Sequence, residues 1–187
     1  MEKIYVVKYT GTFGFIKPHS AVRDAETYSQ QFLTESIIIG MQDRIFGPGD
    51  KKQNLSINQI CRNKVFHQGL SSQQETIKAP EIKFSRSKDT KALYSDSFSI
   101  IKRHVMIRPE LYLGFNNEED AKEAMYFMLR LSRNEDLMTP MDITDMSEEE
   151  FDKIKGIEYV PSKEGLFVGA NRFNNFSPMY GELKINL

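Results

Sequence analysis

The alternation of apolar and polar positions predicts a chain built mainly from short strands. Residues 4–9 are rich in β-branched and aromatic side chains and predict a buried strand that ends at Thr10 and Gly11. The segment 82–86 alternates apolar with basic or polar side chains, as a ribbon with one charged face does. The Ser-rich segment 85–99 indicates an exposed hairpin tip. Further strands are predicted over 64–67, 98–106, 111–115, 166–168 and 183–185.

Two stretches with helical spacing of apolar residues predict short helices. One covers 34–46, with Thr34 as its cap and Gly47 at its end. The other covers 147–154 and opens with a Ser-Glu-Glu-Glu capping pattern.

The clearest predicted helix covers 117–133. Asn116 or Asn117 caps it, acids fill its first turn, and Arg130 and Arg133 lie in its last turn, where the helix dipole favours them. The order of elements is then strand, helix, several strands, long helix and two closing strands. This order predicts an α+β sandwich of the ferredoxin-like type.

Length and composition favour one globular domain. The chain has 187 residues, of which 40% are hydrophobic and 27% charged, so a disordered chain is excluded. The lone Cys61 cannot form an internal disulfide and fits a reducing compartment. No apolar run reaches the ~18–20 residues of a membrane span, and the first residues lack the features of a signal peptide. We therefore expect a soluble cytoplasmic protein.

The charge distribution is uneven although the net charge is only −1. Residues 51–108 hold twelve Lys and Arg against four acids, a local balance of +8. Residues 117–164 hold fourteen acids against six bases, a local balance of −8. Such asymmetry is typical of a chain with one face on a polyanion, although two solvated surfaces would look the same.

The residues that carry chemistry form no familiar catalytic or metal motif. His19, His67 and His104 are far apart, and Cys61 has no zinc-type partner spacing with His67. Phosphate-binding loops, dinucleotide fingerprints and nucleophile elbows are absent from the sequence. We therefore expect neither a metal nor a cofactor.

The segment Lys102-Arg103-His104 has two interpretations. Strand alternation places Lys102 and His104 on one face and Arg103 on the other. The bases could contact phosphates, with His104 as an acid or base for RNA cleavage. Alternatively, the segment is an edge strand kept exposed by its charge. Aromatic residues that could stack on bases interleave with the basic positions: Phe84, Tyr94, Phe98, Phe173 and Phe176.

Several segments together have the pattern of one family. An opening strand, a glycine-containing loop and a Thr-led helix run from Tyr9 to Gly47, with Arg23 between them. A basic strand followed by an Arg-Pro strand covers 102–112, and a helix over 123–133 precedes the closing pattern Gly169…Arg172-Phe173…Phe176. With these motifs the chain resembles the Cas-five family, the RAMP-superfamily subunit that caps the five-prime handle of the guide RNA in CRISPR effector complexes.

The resemblance implies a single RAMP domain over 1–187, similar to an RNA-recognition motif, with a protruding basic hairpin or thumb over about 62–108. It implies a subunit that caps the five-prime handle and nucleates the backbone subunits. Its partners would be the guide RNA, a backbone RAMP subunit and a large or nuclease subunit. The expected RNA-binding residues are Lys17, Arg23, Lys83, Arg86, Lys88, Lys102, Arg103, His104, Arg108, Arg172 and Phe173. Arg172 could instead pair with an acid of a neighbouring helix.

Two other functions stay open. One branch of the resembled family cleaves its guide precursor without a metal, and Tyr28 or Tyr94, Lys102 and His104 are the candidates here. We expect binding without cleavage, because His104 has no carboxylate near it in sequence and no tyrosine is placed convincingly beside it. The last possibility is a ferredoxin-like regulatory or ligand-binding domain unrelated to RNA.

Overall fold

Strands dominate the chain. The computed structural model describes residues 3–19, 25–47, 59–78, 84–86, 93–95 and 98–186. Within these ranges the strands are β1 (Lys3–Thr10), β2 (Phe13–Gly14), β3 (Glu26–Tyr28), β4 (Ile60–Phe66), β5 (Gly69–Lys78), β6 (Phe84–Arg86), β7 (Leu93–Ser95), β8 (Phe98–Ile107), β9 (Glu110–Phe115), β10 (Leu129–Arg130), β11 (Leu137–Ser147), β12 (Gly156–Asn171) and β13 (Ser177–Asn186). The helices are α1 (Glu35–Phe46), α2 (Glu118–Ala124) and α3 (Glu148–Lys153), and none of them is long and apolar enough to cross a membrane.

The larger sheet has seven strands in the order β10-β11-β1-β9-β4-β12-β13. β1 is an interior strand that pairs antiparallel with both neighbours, so Val7 lies opposite Leu113 on β9 and Ile143 on β11. Because side chains alternate along a strand, Val7 and Tyr9 face α1 and α2, while Ile4 and Val6 face α3. The sheet is therefore covered on both faces at its centre.

The main core lies between this sheet and the pair α1 and α2. Tyr9 is fully buried, and its hydroxyl donates a hydrogen bond of 2.8 Å to the Ala124 carbonyl at the end of α2. Burial raises the pKa of Tyr9 far above its ordinary value. On the opposite face, Phe151 of α3 packs on Ile4 and Val6. As predicted, α3 opens with a capping box between Ser147 and Glu150.

A second sheet is built around β8. β8 pairs antiparallel with β5 along ten positions and with β2 at Phe13 and Gly14, and it pairs in parallel with β3. We call the β5–β8 pair the ribbon. Between its two strands in sequence, β6 and β7 pair with each other. The rest of the predicted hairpin tip lies outside the described residues.

The predicted long helix over 117–133 is wrong beyond its first two turns. Asn117 caps α2 as expected, but the helix ends at Ala124. The next three N–H groups bond to carbonyls three residues back, which tightens the chain into a turn. Leu129 then pairs with Met138 of β11, so the apolar stripe reaches the core through a strand. The patterns also missed β5 and β11.

The ribbon is attached to the larger sheet through Arg133, which shares the Glu75 carboxylate with Arg103 of the ribbon itself. Glu75 of β5 accepts from Arg103 of β8 at 2.9 Å and from Arg133 at 3.0 Å. Arg133 also makes two bonds, of 2.7 and 2.9 Å, to Asp136, which is fully buried. Both guanidinium groups lie over the Phe15 ring, at 5.1 and 5.9 Å from its centroid. Burial alone would raise the pKa of Glu75, but the two guanidinium groups outweigh it and the pKa is lowered.

Two cations of the basic middle segment stabilise the opposite face of the larger sheet. Arg62 contacts three acids, with Nε 2.6 Å from Glu158, Nη1 2.6 Å from Glu148 and Nη2 2.5 Å from Asp152. The buried Lys64 donates to three carbonyls around the end of α3. These two charges serve the fold, so the basic excess of the sequence overstates the charge available to a ligand.

Replacing Arg62 should show that its contacts are structural. The Glu158 side chain is 4% exposed, and Arg62→Met leaves it buried without its cation, a change that costs about 3 kcal/mol or more. The matched control is Lys3→Met, because Lys3 and Asp145 form an exposed pair that contributes about 0.5 kcal/mol or less. Chemical denaturation of both variants at pH 7 measures the difference. Equal losses would contradict a structural role for Arg62.

The ribbon attachment should be sensitive to acid. Because the folded-state pKa of Glu75 is lowered, its stabilisation is present above the unfolded carboxyl pKa of about 4.3 and is lost as the pH falls through the folded value. Glu75→Gln is expected to cost about 1 kcal/mol of unfolding free energy at pH 7, and almost nothing at strongly acidic pH. Denaturation across this pH range tests it. The control is Glu164→Gln, at an exposed position, where a loss of similar size would contradict the assignment.

Candidate nucleic-acid interface

A basic cleft lies between α1, the segment 128–132 and the turn after β12. Its volume is about 780 Å³, and four cationic side chains line it: Lys17, Arg44, Arg130 and Arg172. Among the described residues that line it, none is acidic. The other described residues of its walls are apolar or neutral, so the cleft presents concentrated positive charge in a concave surface.

Local contacts place the Arg172 side chain and the Lys17 backbone at the cleft. Arg172 lies beside Gly40 of α1, where an added Cβ would be 3.1 Å from Nη2 of the arginine. Its guanidinium also lies 4.8 Å from the centroid of the Phe173 ring. Arg44 is four residues, or about one helical turn, after Gly40. The backbone N–H of Lys17 donates to the Ser132 hydroxyl at 2.8 Å.

The cleft cations differ from Arg62, Arg103 and Arg133 in having no acidic partner among the described residues. Within the described part of the chain, none of the four forms an ion pair, and Arg130 contacts only the amide oxygen of Asn134, at 3.4 Å. Arg62, Arg103 and Arg133 each contact at least one carboxylate. Uncompensated positive charge in a concave surface favours an anionic ligand.

A second cluster lies on one face of the ribbon. The parallel pairing of β3 with β8 puts Glu26 opposite Lys102 and Tyr28 opposite His104. Nε2 of His104 is 2.6 Å from Oε1 of Glu26. The imidazole stacks on the Tyr28 ring, with 4.0 Å between centroids and 5° between planes. The hydrogen bond from His104, with a smaller effect of the Lys102 charge, lowers the pKa of Glu26.

His104 has no carboxylate near it in sequence, as expected, but the structure supplies an orienting carboxylate and a neighbouring tyrosine from a distant strand. Both groups come from β3, and Glu26 lies 78 positions away from His104 in sequence. No local pattern could reveal the contact, because a parallel pair between distant segments creates it. The ribbon face therefore brings together an imidazole, a carboxylate, a phenol and an ammonium group.

The structure distributes the predicted RNA-binding residues over several surfaces. Lys17, Arg172 and Phe173 lie at or beside the cleft, and Lys102 and His104 share the ribbon face. Arg103 is on the other face of β8, paired with Glu75.

The other predicted residues are separate or outside the description. Arg108 is exposed in the turn between β8 and β9. The side chains of Arg86 and Tyr94, and all of Arg23, Lys83 and Lys88, lie outside the described residues.

Sequence patterns missed two of the four cleft cations. Arg44 could have been found from its helical spacing to Gly40. Arg130 was assigned to the last turn of a helix that does not extend that far. Gly169 is the first residue of the closing sequence pattern. It has φ of 140°, and its Cα faces His19, where an added Cβ would be 3.0 Å from the histidine Cβ. That glycine is explained by the fold.

Comparison with solved structures finds chains of the same fold. No family model and no curated protein matches the sequence. A chain of a CRISPR RNA-guided surveillance complex matches with a TM-score of 0.59 and 12% identity, over 98% of this chain and 89% of the other. The crystal structure of a Cas protein matches with a TM-score of 0.53 and 15% identity, over 98% and 94%.

A third match is a chain of the Type III-B Cmr-beta complex bound to cognate target RNA and AMPPnP. Its TM-score is 0.52 at 8% identity, over 97% of this chain and 83% of the other. At these identities the likeness concerns the fold. The chain has a mixed α/β fold, mostly sheet with few helices, similar to that of these CRISPR-associated proteins.

Proposed function

We propose that the chain is a guide-RNA-binding subunit of a CRISPR effector complex that caps the five-prime, repeat-derived handle and contacts the backbone subunits. The observation that carries this proposal is the cleft with four cations and no acid among the described residues of its lining. RNA phosphates are the anions that such a surface fits, because its cations come from separate segments and can follow a backbone. The fold is also that of chains found in CRISPR complexes.

The topology supports a ferredoxin-like RAMP domain within this proposal. β1, α1, β4, β9, α2 and β11 follow one another in the order strand, helix, strand, strand, helix, strand. In the sheet these four strands are adjacent in the order β11-β1-β9-β4, all antiparallel. That is the split βαβ arrangement. The ribbon falls within the segment 62–108 and is the part we assign to the thumb.

Removal of the cleft cations should weaken RNA binding through electrostatics. The variant Arg44→Gln/Arg130→Gln/Arg172→Gln removes three potential phosphate contacts, each of which contributes about 0.7 to the slope of log affinity against log salt. We therefore expect weaker binding and a slope smaller by about 2. Fluorescence anisotropy of a labelled single-stranded repeat RNA over a salt series measures both quantities.

A matched control separates the cleft from overall charge. The variant Lys3→Gln/Lys122→Gln/Lys153→Gln removes the same charge from exposed positions, of which Lys3 and Lys122 are ion-paired. Its affinity and salt slope should stay near those of the wild type. Equal effects of both variants would contradict a cleft-bound RNA. Absence of RNA binding by the wild type would favour a ligand-binding domain unrelated to RNA.

A second candidate function, metal-independent cleavage of the repeat precursor, is favoured by the His104 cluster. Glu26 orients the imidazole at 2.6 Å, as a carboxylate does for a general base. His104 would take the proton of a ribose 2′-hydroxyl, whose oxygen attacks the adjacent phosphate. The P–O5′ bond breaks as the new P–O2′ bond forms, and the departing 5′-oxygen takes a proton from water, which leaves a 2′,3′-cyclic phosphate and a 5′-hydroxyl end. Lys102, on the same face, would stabilise the charge on the phosphate.

Cleavage can be tested directly. If this activity exists, repeat RNA incubated with the protein in EDTA at neutral pH yields one discrete product. His104→Ala should abolish the product and Glu26→Gln should slow its formation, while RNA affinity through the cleft is retained. Denaturing gels read the outcome. A product that persists in His104→Ala would contradict the role of this cluster.

A further inference from the structure

Tyr28 lies on β3 with one face of its ring covered and the remainder open. The imidazole of His104 is parallel to it at 4.0 Å, yet Tyr28 as a whole is 56% exposed. A flat ring with one face stacked at van der Waals distance has that exposure only if its other face is accessible. Within the described ranges, no second ring and no cation lies over Tyr28.

The two stacked rings are fixed before any ligand arrives. His104 is held by Glu26 at 2.6 Å, and its side chain is only 16% exposed. The backbone around the pair is also fixed, since the carbonyl of His104 accepts from Ser29 at 2.9 Å. A ligand that stacks on Tyr28 therefore orders little of the protein, and the entropy cost of binding is small.

The neighbouring groups on this face fit a nucleotide. Lys102 is exposed two positions from His104 on β8, and strand alternation puts its ammonium group on the same face. Across the ribbon, the exposed Ser72 and Gln74 lie opposite His104 and Lys102 and offer neutral hydrogen-bonding groups. Further along β8, Phe98 is exposed at a position of the same strand face, six residues from His104.

We propose that the open face of Tyr28 stacks an unpaired nucleobase of the bound RNA, with Lys102 on an adjoining phosphate. This inference rests on the proposed RNA-binding function, but it concerns a surface other than the cleft. Base–aromatic stacking tolerates any base, because every base has a π-face. Tyr28 therefore adds binding affinity and fixes the position of the RNA along the protein, without selecting a particular base.

The test asks whether removing the Tyr28 ring and removing one base of the RNA weaken binding through the same contact. Single abasic sites are moved along a short, unstructured single-stranded RNA, and binding of each RNA is measured by fluorescence anisotropy to wild type and to Tyr28→Ala. At one position the abasic site should weaken wild-type binding about tenfold. In Tyr28→Ala the same abasic site should cost almost nothing, while effects at other positions persist.

Control variants keep the result independent of folding and of the cleft. Tyr28→Phe retains the ring and should keep the wild-type abasic pattern. Arg172→Gln should lower the salt slope and leave the pattern unchanged. If Tyr28→Ala binds no RNA, Tyr28→Leu, which keeps apolar volume without a flat ring, takes its place in the comparison.

The outcomes separate this inference from the proposed function. An abasic pattern that is identical in wild type and in the Tyr28 variant overturns base stacking and leaves RNA binding by the cleft intact. Loss of the pattern in Tyr28→Phe also overturns it, since the ring is still present. If the wild-type protein binds no RNA, both the inference and the proposed function are overturned.

Discussion

The contacts of Arg133 determine where both candidate RNA surfaces lie. Its guanidinium joins the fully buried Asp136 to Glu75 of the ribbon and covers the Phe15 ring. The adjacent Ser132 accepts from Lys17 and donates to the Phe15 carbonyl, at 2.8 and 2.9 Å. One corner of the fold therefore orients the ribbon and also positions the wall of the cleft.

Two groups of described basic residues differ in their partners. Arg62, Arg103 and Arg133 contact carboxylates, and the buried Lys64 donates to carbonyls, so their charge is used in folding. The cations of the cleft have no such partner among the described residues. A charge count from the sequence includes both groups equally. Only the charge that no nearby acid compensates attracts a polyanion. This division explains why a chain of net charge −1 can present a strongly basic cleft.

Local signals in the sequence predicted β1, α1, α3 and the Asn117 cap, because caps, glycine stops and apolar alternation act within a few residues. They failed at 125–133, where an apolar stripe continues through a turn into β10. They also missed β5. Its sequence is mostly polar, since alternate residues are exposed on the ribbon face, so it lacks the apolar pattern that marks a strand. The Tyr28–His104 stack could not be predicted from local sequence patterns, because parallel pairing of strands that are distant in sequence creates it. Lys17, Arg172 and Phe173 were predicted as binding residues and lie together at or beside the cleft, whereas Arg44 and Arg130 were missed.

The central claim is that RNA contacts the cations without acidic partners and the open ring of Tyr28, and avoids the ion-paired face. Photocrosslinking of a 4-thiouridine-containing single-stranded RNA, followed by mass spectrometry of the peptides, measures this directly. The account predicts crosslinks in the peptides that contain Tyr28 and Arg172-Phe173. Crosslinks confined to the peptides of β4 and α3, where Arg62 and its three acids lie, would contradict it.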